Sequence, residues 1–458
     1  MKTHHFELVE IDLFEGLHPP RSFTRLVGRK TGLIKELFQT GVEPGDPQIF
    51  NVTVIHSHVE RLVNIPIRAN LRAAGAGLTL PQAFAAASGE VMERYACYFY
   101  NPEDLIFDTY ANLQQQGREA IGPDRLQFFS KAQLATPSFP FQPFTEDTPL
   151  AWAEGRSLVT GRPILVPAQY IYFSYHFQHR PEEPHITYPT SSGCACASSL
   201  PEAWLKGLYE QIERDAVMLT WYARLSPPML DIEGDLDLRA FLYDAGFVQP
   251  GRKYHLRYIT LDIPITVVLG VAELEVNGRR YFVAGSANID PRRAAIKALL
   301  ELGQGVPFIK YIMVDQPYAD YSSMSFDNFD DNLRLYADPD YGDRLAFLLS
   351  SSERVDIRQL LSQGKSYGDM DFESALQAVV ALLAQHDMEP IAFDHTTPDI
   401  AELGFYVGRV FVPELVQLGT PAYPFLGSRR LYELPAQLGL RDRVLTPDDL
   451  NPDYHPYP

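Results

Sequence analysis

A helical motif occurs twice in this sequence, and it constrains the fold more than any other feature. Residues 79–96 read TLPQAFAAASGEVMERYA, and residues 199–216 read SLPEAWLKGLYEQIERDA. In each copy, Thr or Ser before Leu-Pro is typical of a helix N-cap followed by proline in the first turn. Each copy then predicts a helix with Glu-x-x-Glu-Arg on one face, because residues three and four apart share a face. A weaker third copy lies at residues 294–304, where Glu301 and Gln304 take the places of the two acids.

The repeated carboxylates are Glu90, Glu93, Glu210 and Glu213. Apolar residues flank them, so we expect largely buried helices, in which unpaired carboxylates are costly. A single Glu-x-x-Glu-Arg most often lies on a solvated helix surface, but its repetition favours a shared site. Divalent cations would relieve the repulsion between four carboxylates, and oxygen ligands favour Mg²⁺ or Ca²⁺. Because Mg²⁺ usually completes its shell with water and substrate phosphates, the sequence predicts a magnesium–nucleotide site between helices.

The composition is that of a globular chain with a large core. Of the 458 residues, 46% are hydrophobic, and the net charge of −19 argues against nucleic acid as the main partner. No apolar run reaches the length of a membrane span and no secretory signal opens the chain, so we expect a cytoplasmic protein without a membrane partner. Cys194-Ala-Cys196 has no second cysteine pair and is therefore not a zinc site.

The chain predicts a mixed α/β (α+β) fold in which helices pack on layered mixed sheets, because helical and strand-like patterns alternate loosely. Residues 264–275 alternate as a strand and lead to a hairpin turn at Asn277-Gly278. Residues 170–173 also read as a strand. We divide the chain into an entry region, a catalytic domain and a proline-rich tail, at residues 1–60, 61–435 and 436–458.

Several motifs follow one another in an order that resembles the YcaO superfamily. They are Gly75-Ala-Gly-Leu-Thr with the first Glu-x-x-Glu-Arg, Thr190-Ser-Ser-Gly-Cys-Ala-Cys-Ala with the second, and Glu-x-x-Gln from Glu301. The resemblance runs from about residue 26 to the end. It implies an ATP-binding fold that holds magnesium ions between acidic helices and has no phosphate-binding glycine loop. This sequence likewise contains no G-x-x-x-x-G-K-[ST].

The resemblance also assigns roles to single positions. The four repeated acids would hold the magnesium ions, and Arg94 and Arg214 would orient these acids or contact phosphates. Contacts to ATP are implied for Ser198, Glu202, Glu301 and Gln304. The chain has Ala76, Ala86 and Ala195 where relatives often have Lys or Ser, and it would lack the corresponding contacts to the nucleotide.

Glu202 and Glu213 cannot share one ion if their helix is continuous. Eleven residues at about 1.5 Å each separate them by roughly 16 Å. Either Glu202 faces another part of the nucleotide, or the helix breaks.

The sequence ends in DLNPDYHPYP, which includes Pro456 and Pro458. Tails of this kind are usually flexible, and few core contacts are expected so close to a terminus. Azoline-forming members of the YcaO superfamily, however, end in a proline-rich tail that reaches the active site. The resemblance therefore implies that Pro458 lies at the catalytic centre.

The function that the resemblance implies is that of an ATP-dependent cyclodehydratase. It would convert Cys, Ser or Thr of a ribosomal precursor peptide into thiazoline or oxazoline. A thioamide-forming relative with an added sulfur donor, and a non-catalytic partner that binds nucleotide or peptide, are the alternatives. We expect a separate leader-binding partner that resembles ubiquitin-activating proteins and a separate flavin dehydrogenase, and we leave a homodimer open.

Overall fold

The computed structural model describes residues 21–65, 71–178, 180–275, 278–315, 330–363 and 370–457. The strands are β1 (Ile34–Gln39), β2 (Phe50–His56), β3 (Arg72–Gly77), β4 (Ile106–Thr109), β5 (Pro149–Ser157), β6 (Pro163–Pro167), β7 (Cys194–Ala197), β8 (Met229–Asp231), β9 (Arg252–Tyr258), β10 (Thr266–Glu275), β11 (Arg279–Asn288), β12 (Arg354–Asp356), β13 (Ile391–Asp394) and β14 (Tyr406–Phe411).

The longer helices are mostly those that carry the sequence motifs or cover the sheets. In chain order the helices are α1 (Arg21–Leu26), α2 (Val59–Leu62), α3 (Leu80–Ala96), α4 (Tyr110–Gln115), α5 (Lys131–Leu134), α6 (Ala168–Ile171), α7 (Tyr175–Gln178), α8 (Leu200–Tyr222), α9 (Leu236–Asp244), α10 (Pro291–Asp315), α11 (Asp330–Tyr336), α12 (Pro339–Gly342), α13 (Ile357–Gln363), α14 (Phe372–Ala384), α15 (Pro398–Ala401) and α16 (Arg429–Gln437).

Three sheets organise the strands. The first has the order β1-β2-β3, the second β11-β10-β9-β8-β12, and the third β4-β5-β13-β14-β7 with β6 paired to β5. These strands pair in antiparallel fashion, except for β8 with β12, which are parallel. Layers of sheet and helix confirm the predicted mixed α+β fold.

The three helices that carry the repeated motif each connect two of the sheets. Helix α3 packs on β3 of the first sheet and on β7 of the third. Helix α8 packs on β7 and β14 of the third sheet and on β10 and β11 of the second, and α10 packs on the second sheet and on β3. The acidic faces of these helices are thereby brought to one region of the molecule.

The largest hydrophobic core surrounds α8. Leu208, Ile212 and Leu219 of this helix pack with Val271 of the second sheet and Val410 of the third, and all five are buried. Removing apolar surface of this kind from water contributes about 25 cal/mol per Å². The core therefore fixes α8 against both sheets and with it the carboxylates that α8 carries.

One element differs from its predicted type, and one turn is only partly described. Residues 168–171 form helix α6, so the strand predicted at 170–173 is wrong, because a short buried apolar run has no periodicity that separates strand from helix. The antiparallel hairpin of β10 and β11 is confirmed, although Asn277 lies outside the described residues. The predicted division of the chain into three parts stays a prediction. No helix within the described ranges is long and apolar enough to cross a bilayer.

Candidate nucleotide and metal site

Both acidic helices begin where the sequence predicts. The Thr79 hydroxyl accepts a hydrogen bond from the Gln82 backbone N–H at 3.4 Å, and the Ser199 hydroxyl accepts one from the Glu202 N–H at 3.4 Å. A proline follows in the first turn of each helix. Helix α8 then runs without a break, so Glu202 and Glu213 lie on one continuous helix and cannot share an ion.

The first acid of each repeat is held in the same way. Glu90 accepts a hydrogen bond from the Ala74 backbone N–H of β3 at 2.8 Å, and Glu210 accepts one from the Gly193 N–H, just before β7, at 2.8 Å. The arginine four residues later pairs with the same carboxylate, Arg94 with Glu90 and Arg214 with Glu210. The sequence repeat is therefore also a repeat of side-chain geometry.

A close backbone approach makes the contact of Gly193 with Glu210 possible. A Cβ atom on Gly207 of α8 would lie 2.2 Å from the Gly193 carbonyl oxygen. Gly193 itself has φ +82°, and a Cβ on it would lie 2.0 Å from the Val410 carbonyl oxygen. Glycine is required at both positions, because a side chain on Gly207 would push the loop away from α8 and one on Gly193 would push it away from β14.

Glu93 is the acid whose charge is least compensated. Burial and the neighbouring Cys194, Glu210 and Glu90 raise the pKa of Glu93 well above its usual range, against the opposing effect of Arg94. Among the described residues, the carboxylate of Glu93 has no hydrogen-bonded or ion-paired partner. The charges of Glu93 on α3 and Glu210 on α8 therefore influence each other.

Glu213 lies at the inner end of the acidic face of α8 and is 5% exposed. Its carboxylate accepts a hydrogen bond from the hydroxyl of Tyr457, the penultimate residue of the chain. Gly285 of β11 leaves the room for this pair, because a Cβ there would lie 2.7 Å from the Tyr457 hydroxyl oxygen and 3.3 Å from Glu213 Cγ. The tail thus ends against one of the predicted metal ligands.

The third helix contributes both an acid and a cation. Glu301 of α10 pairs with Lys297 at 3.4 Å, and Gln304 lies one turn further along the helix. Burial raises the pKa of Glu301 to about 7; Lys297 opposes this rise, and Glu213 adds to it. Burial also raises the pKa of Glu210; Arg214 opposes this rise, and Glu213 adds to it. Glu301 is therefore part of the same electrostatic group as the acids of α8.

Ser198 and Glu202 form a separate pair at the beginning of α8. The Ser198 hydroxyl donates to Glu202 at 2.6 Å, and Lys206 pairs with the other carboxylate oxygen at 2.8 Å. Burial tends to raise the pKa of Glu202, but the hydrogen bonds from Lys206 and Ser198 outweigh it and lower the pKa. This pair stays a predicted contact to the nucleotide.

The tail is part of the folded body, and the prediction that it makes few core contacts is wrong. His455 and Tyr457 are 0% and 4% exposed, and Tyr457 belongs to the core around α8. His455 Nε2 donates to the Gly419 carbonyl at 2.9 Å, and the Asn332 amide donates to the Tyr457 carbonyl at 3.2 Å. Pro458, predicted to be catalytic, lies outside the described residues.

The donor set fits hard divalent cations, although no ready-made cage is present. Within the described ranges, no three His, Cys, Asp or Glu side chains stand together as a group that could hold a metal ion. Except for Glu93, the acids are paired instead with cations or donors of the protein: Arg94, Arg214, Lys297 and Tyr457. Oxygen ligands with raised pKa values, as at Glu93 and Glu210, are what a divalent cation would relieve.

Sequence reasoning missed three contributors to this region. Lys297 stands four residues before Glu301, and this helical spacing could have revealed it. The contact of Gly193 depends on how the loop before β7 folds against α8, and the contact of Tyr457 joins segments that are distant in the chain, so no local pattern predicts them.

In comparisons with known proteins, a family model matches most of the chain. Residues 74–416 match the model of the YcaO cyclodehydratase family, described as ATP- and Mg²⁺-binding. The chain is 30% identical over 243 residues to an uncharacterized protein in the tfuA 3′ region of Rhizobium leguminosarum bv. trifolii. That match covers 50% of this chain and 53% of the relative, so the chain spans about half of the relative's length.

Two solved structures share the fold. A heterocyclase in complex with substrate and cofactor superposes with a TM-score of 0.76 at 24% identity, over 95% of this chain and 56% of that one. The YcaO protein of Methanopyrus kandleri, bound with AMPPCP and Mg²⁺, superposes with a TM-score of 0.57 at 21% identity, over 86% and 87% of the two chains.

Proposed function

Because this chain belongs to the YcaO cyclodehydratase family, we propose that it is an ATP-dependent peptide cyclodehydratase. It would convert Cys, Ser or Thr of a ribosomal precursor peptide into thiazoline or oxazoline. The observation that carries this proposal is the matching pair of helices α3 and α8, whose acids are electrostatically coupled through Glu93 and Glu210. Coupled carboxylates of this kind suit the magnesium ions that accompany nucleotide phosphates.

The four acids have different roles in this proposed site. When bound, Mg-ATP would supply the phosphoryl group that turns the peptide amide oxygen into a leaving group. Glu90 and Glu210 are already oriented by a backbone N–H and an arginine each, so they would enter the metal shell with little loss of side-chain freedom. Glu93 and Glu213 would provide the second carboxylate of each helix. Arg94 and Arg214 would keep the first acids in place or contact phosphates.

Tyr457 supports a role for the chain end at the site. Its hydroxyl orients Glu213, and Pro458 follows it directly. We propose that Pro458 helps to position the peptide. Glu301 and Gln304 of α10, and Ser198 with Glu202 at the beginning of α8, are the proposed contacts to ATP.

The proposed partners follow from the substrate. A precursor peptide would be delivered by a separate leader-binding protein, which raises the effective concentration of the peptide at the site. A separate flavin dehydrogenase would oxidise azolines to azoles. The reaction is proposed to take place in the cytoplasm.

The test uses mass spectrometry of the peptide. The full chain is incubated with Mg-ATP, a leader-binding partner and a short Cys-, Ser- and Thr-rich precursor encoded beside its gene. The proposal predicts loss of one water per ring, with one phosphate released, and no loss with Glu213→Gln. A gain in mass from exchange of oxygen for sulfur would instead identify a thioamide-forming enzyme. An unchanged peptide in the presence of ATP hydrolysis would reject cyclodehydration.

A further inference from the structure

Two buried thiols face each other beside the acidic helices. Cys97 follows the last residue of α3, Cys194 opens β7, and their Sγ atoms are 3.3 Å apart. The two residues are 0% and 4% exposed. A disulfide has an S–S length of about 2.05 Å, so bond formation needs a combined movement of only about 1.3 Å.

A buried cation lies against this pair. Arg409 of β14 stands directly opposite Cys194 in the antiparallel register and is 0% exposed. Its Nη1 donates to the Ile171 carbonyl at 2.8 Å, whereas Nε and Nη2 have no hydrogen-bond partner in the described part of the chain. A guanidinium with this environment favours a thiolate as its neighbour, and the thiolate is the nucleophilic form of cysteine.

We infer that Cys97 and Cys194 are a site of reversible thiol oxidation, which hydrogen peroxide converts into a disulfide. The Cys194 sulfur attacks one peroxide oxygen and the O–O bond breaks. Water is released, and Cys194 becomes a sulfenic acid. The Cys97 sulfur then attacks this sulfur, the S–O bond breaks, and the oxygen leaves as a second water with the Cys97 proton. Two thiols lose two electrons, and one peroxide is reduced to two waters.

The disulfide would connect the end of α3 to the loop that holds Glu210 of α8. Cys97 lies one turn after Glu93, and its N–H donates to the Glu93 carbonyl at 3.1 Å. Cys194 directly follows Gly193, whose N–H holds Glu210 at 2.8 Å. Formation of the bond would shift the backbone at the end of α3 and at Gly193, and with it Glu93 and Glu210. The oxidised chain should therefore bind Mg-ATP several-fold more weakly. This consequence rests on the proposed function, whereas formation of the bond does not.

The experiment maps the bond in the native full-length chain. The protein is treated with hydrogen peroxide, unfolded, alkylated and digested for mass spectrometry. We expect the number of alkylated cysteines to fall from three to one, with residues 97 and 194 in one cross-linked peptide. The chain should become lighter by two hydrogen atoms, and dithiothreitol should restore the reduced mass and the affinity for Mg-ATP.

Matched variants separate the three cysteines. Cys196→Ser should still form the bridge, and Cys97→Ser and Cys194→Ser should not. If either of the last two fails to fold, the wild-type cross-link decides the question alone. Three alkylated cysteines after treatment, or a bridge between Cys194 and Cys196, would overturn the inference. A wild-type bridge without any change in Mg-ATP affinity would retain the oxidation site and reject its effect on the acidic helices.

Discussion

The hydroxyl of Tyr457 donates a hydrogen bond to the carboxylate of Glu213. This contact joins the penultimate residue of the chain to the second acid of the repeat on α8. Both residues are buried, at 4% and 5% exposure. The neutral hydroxyl orients this carboxylate without placing an opposite charge against it.

Replacing the hydroxyl tests this contact without removing the aromatic ring. Tyr457→Phe should reduce the turnover of the Mg-ATP-dependent cyclodehydration about tenfold, because Glu213 loses its orienting donor. It should also lower the free energy of unfolding by about 1 kcal/mol. Turnover and thermal melting measure the two effects. Tyr243→Phe, at a residue that is 77% exposed, is the matched control and should change neither. Wild-type turnover in Tyr457→Phe would show that the contact has no role.

Deleting residues 455–458 should destabilise the protein. The truncation removes the buried side chains of His455 and Tyr457 and leaves Asn332 without its partner carbonyl, at a cost of about 3 kcal/mol or more. Melting of the two chains by circular dichroism makes the comparison. An unchanged melting temperature would contradict the buried position of the tail.

The stability of the metal-free protein should depend on Glu301. Its pKa is raised in the folded chain to about 7 from 4.5, so its stabilising contribution is complete below pH about 4.5 and is lost as the pH rises through about 7. The side chain is 36% exposed, and solvent screening limits the effect to about 1 kcal/mol. Glu301→Gln should flatten this part of the pH profile in EDTA, as followed by melting temperature. Parallel profiles of melting temperature against pH for the two proteins between pH 5 and 8 would contradict this role of Glu301.

Glu93→Gln should separate stability from binding. In EDTA, the loss of a carboxylate that is repelled by Glu90 and Glu210 should leave the melting temperature equal or raise it by a few degrees. With Mg-ATP, the stabilisation expected for the wild type should be lost in this variant. Glu103→Gln, on an exposed residue outside the site, provides the control. A large loss of stability in EDTA would mean that Glu93 has a structural role.

What could be predicted from the sequence is what local geometry determines. The caps at Thr79 and Ser199 depend on residues a few positions apart, and so do the pairs of Glu90 with Arg94 and Glu210 with Arg214. That the acids of α3 and α8 lie in one region could be inferred only because the motif is repeated.

The features that the sequence did not predict depend on tertiary packing. The Gly193 contact requires α8 to approach a loop that Val410 also restricts, and burial of Tyr457 requires the tail to enter the core. The buried apolar run of α6 follows the same rule, since its helical state is set by its surroundings and not by periodicity.

The most direct test of the central claim is calorimetric titration of the chain with the non-hydrolysable nucleotide AMPPCP, with and without Mg²⁺. If the acids of α3 and α8 form one magnesium–nucleotide site, binding should be saturable and should need Mg²⁺. It should be weakened at least tenfold, or about 1.4 kcal/mol, in both Glu93→Gln and Glu213→Gln, with Glu103→Gln unaffected. Wild-type affinity in both variants, or equal binding in EDTA, would contradict it.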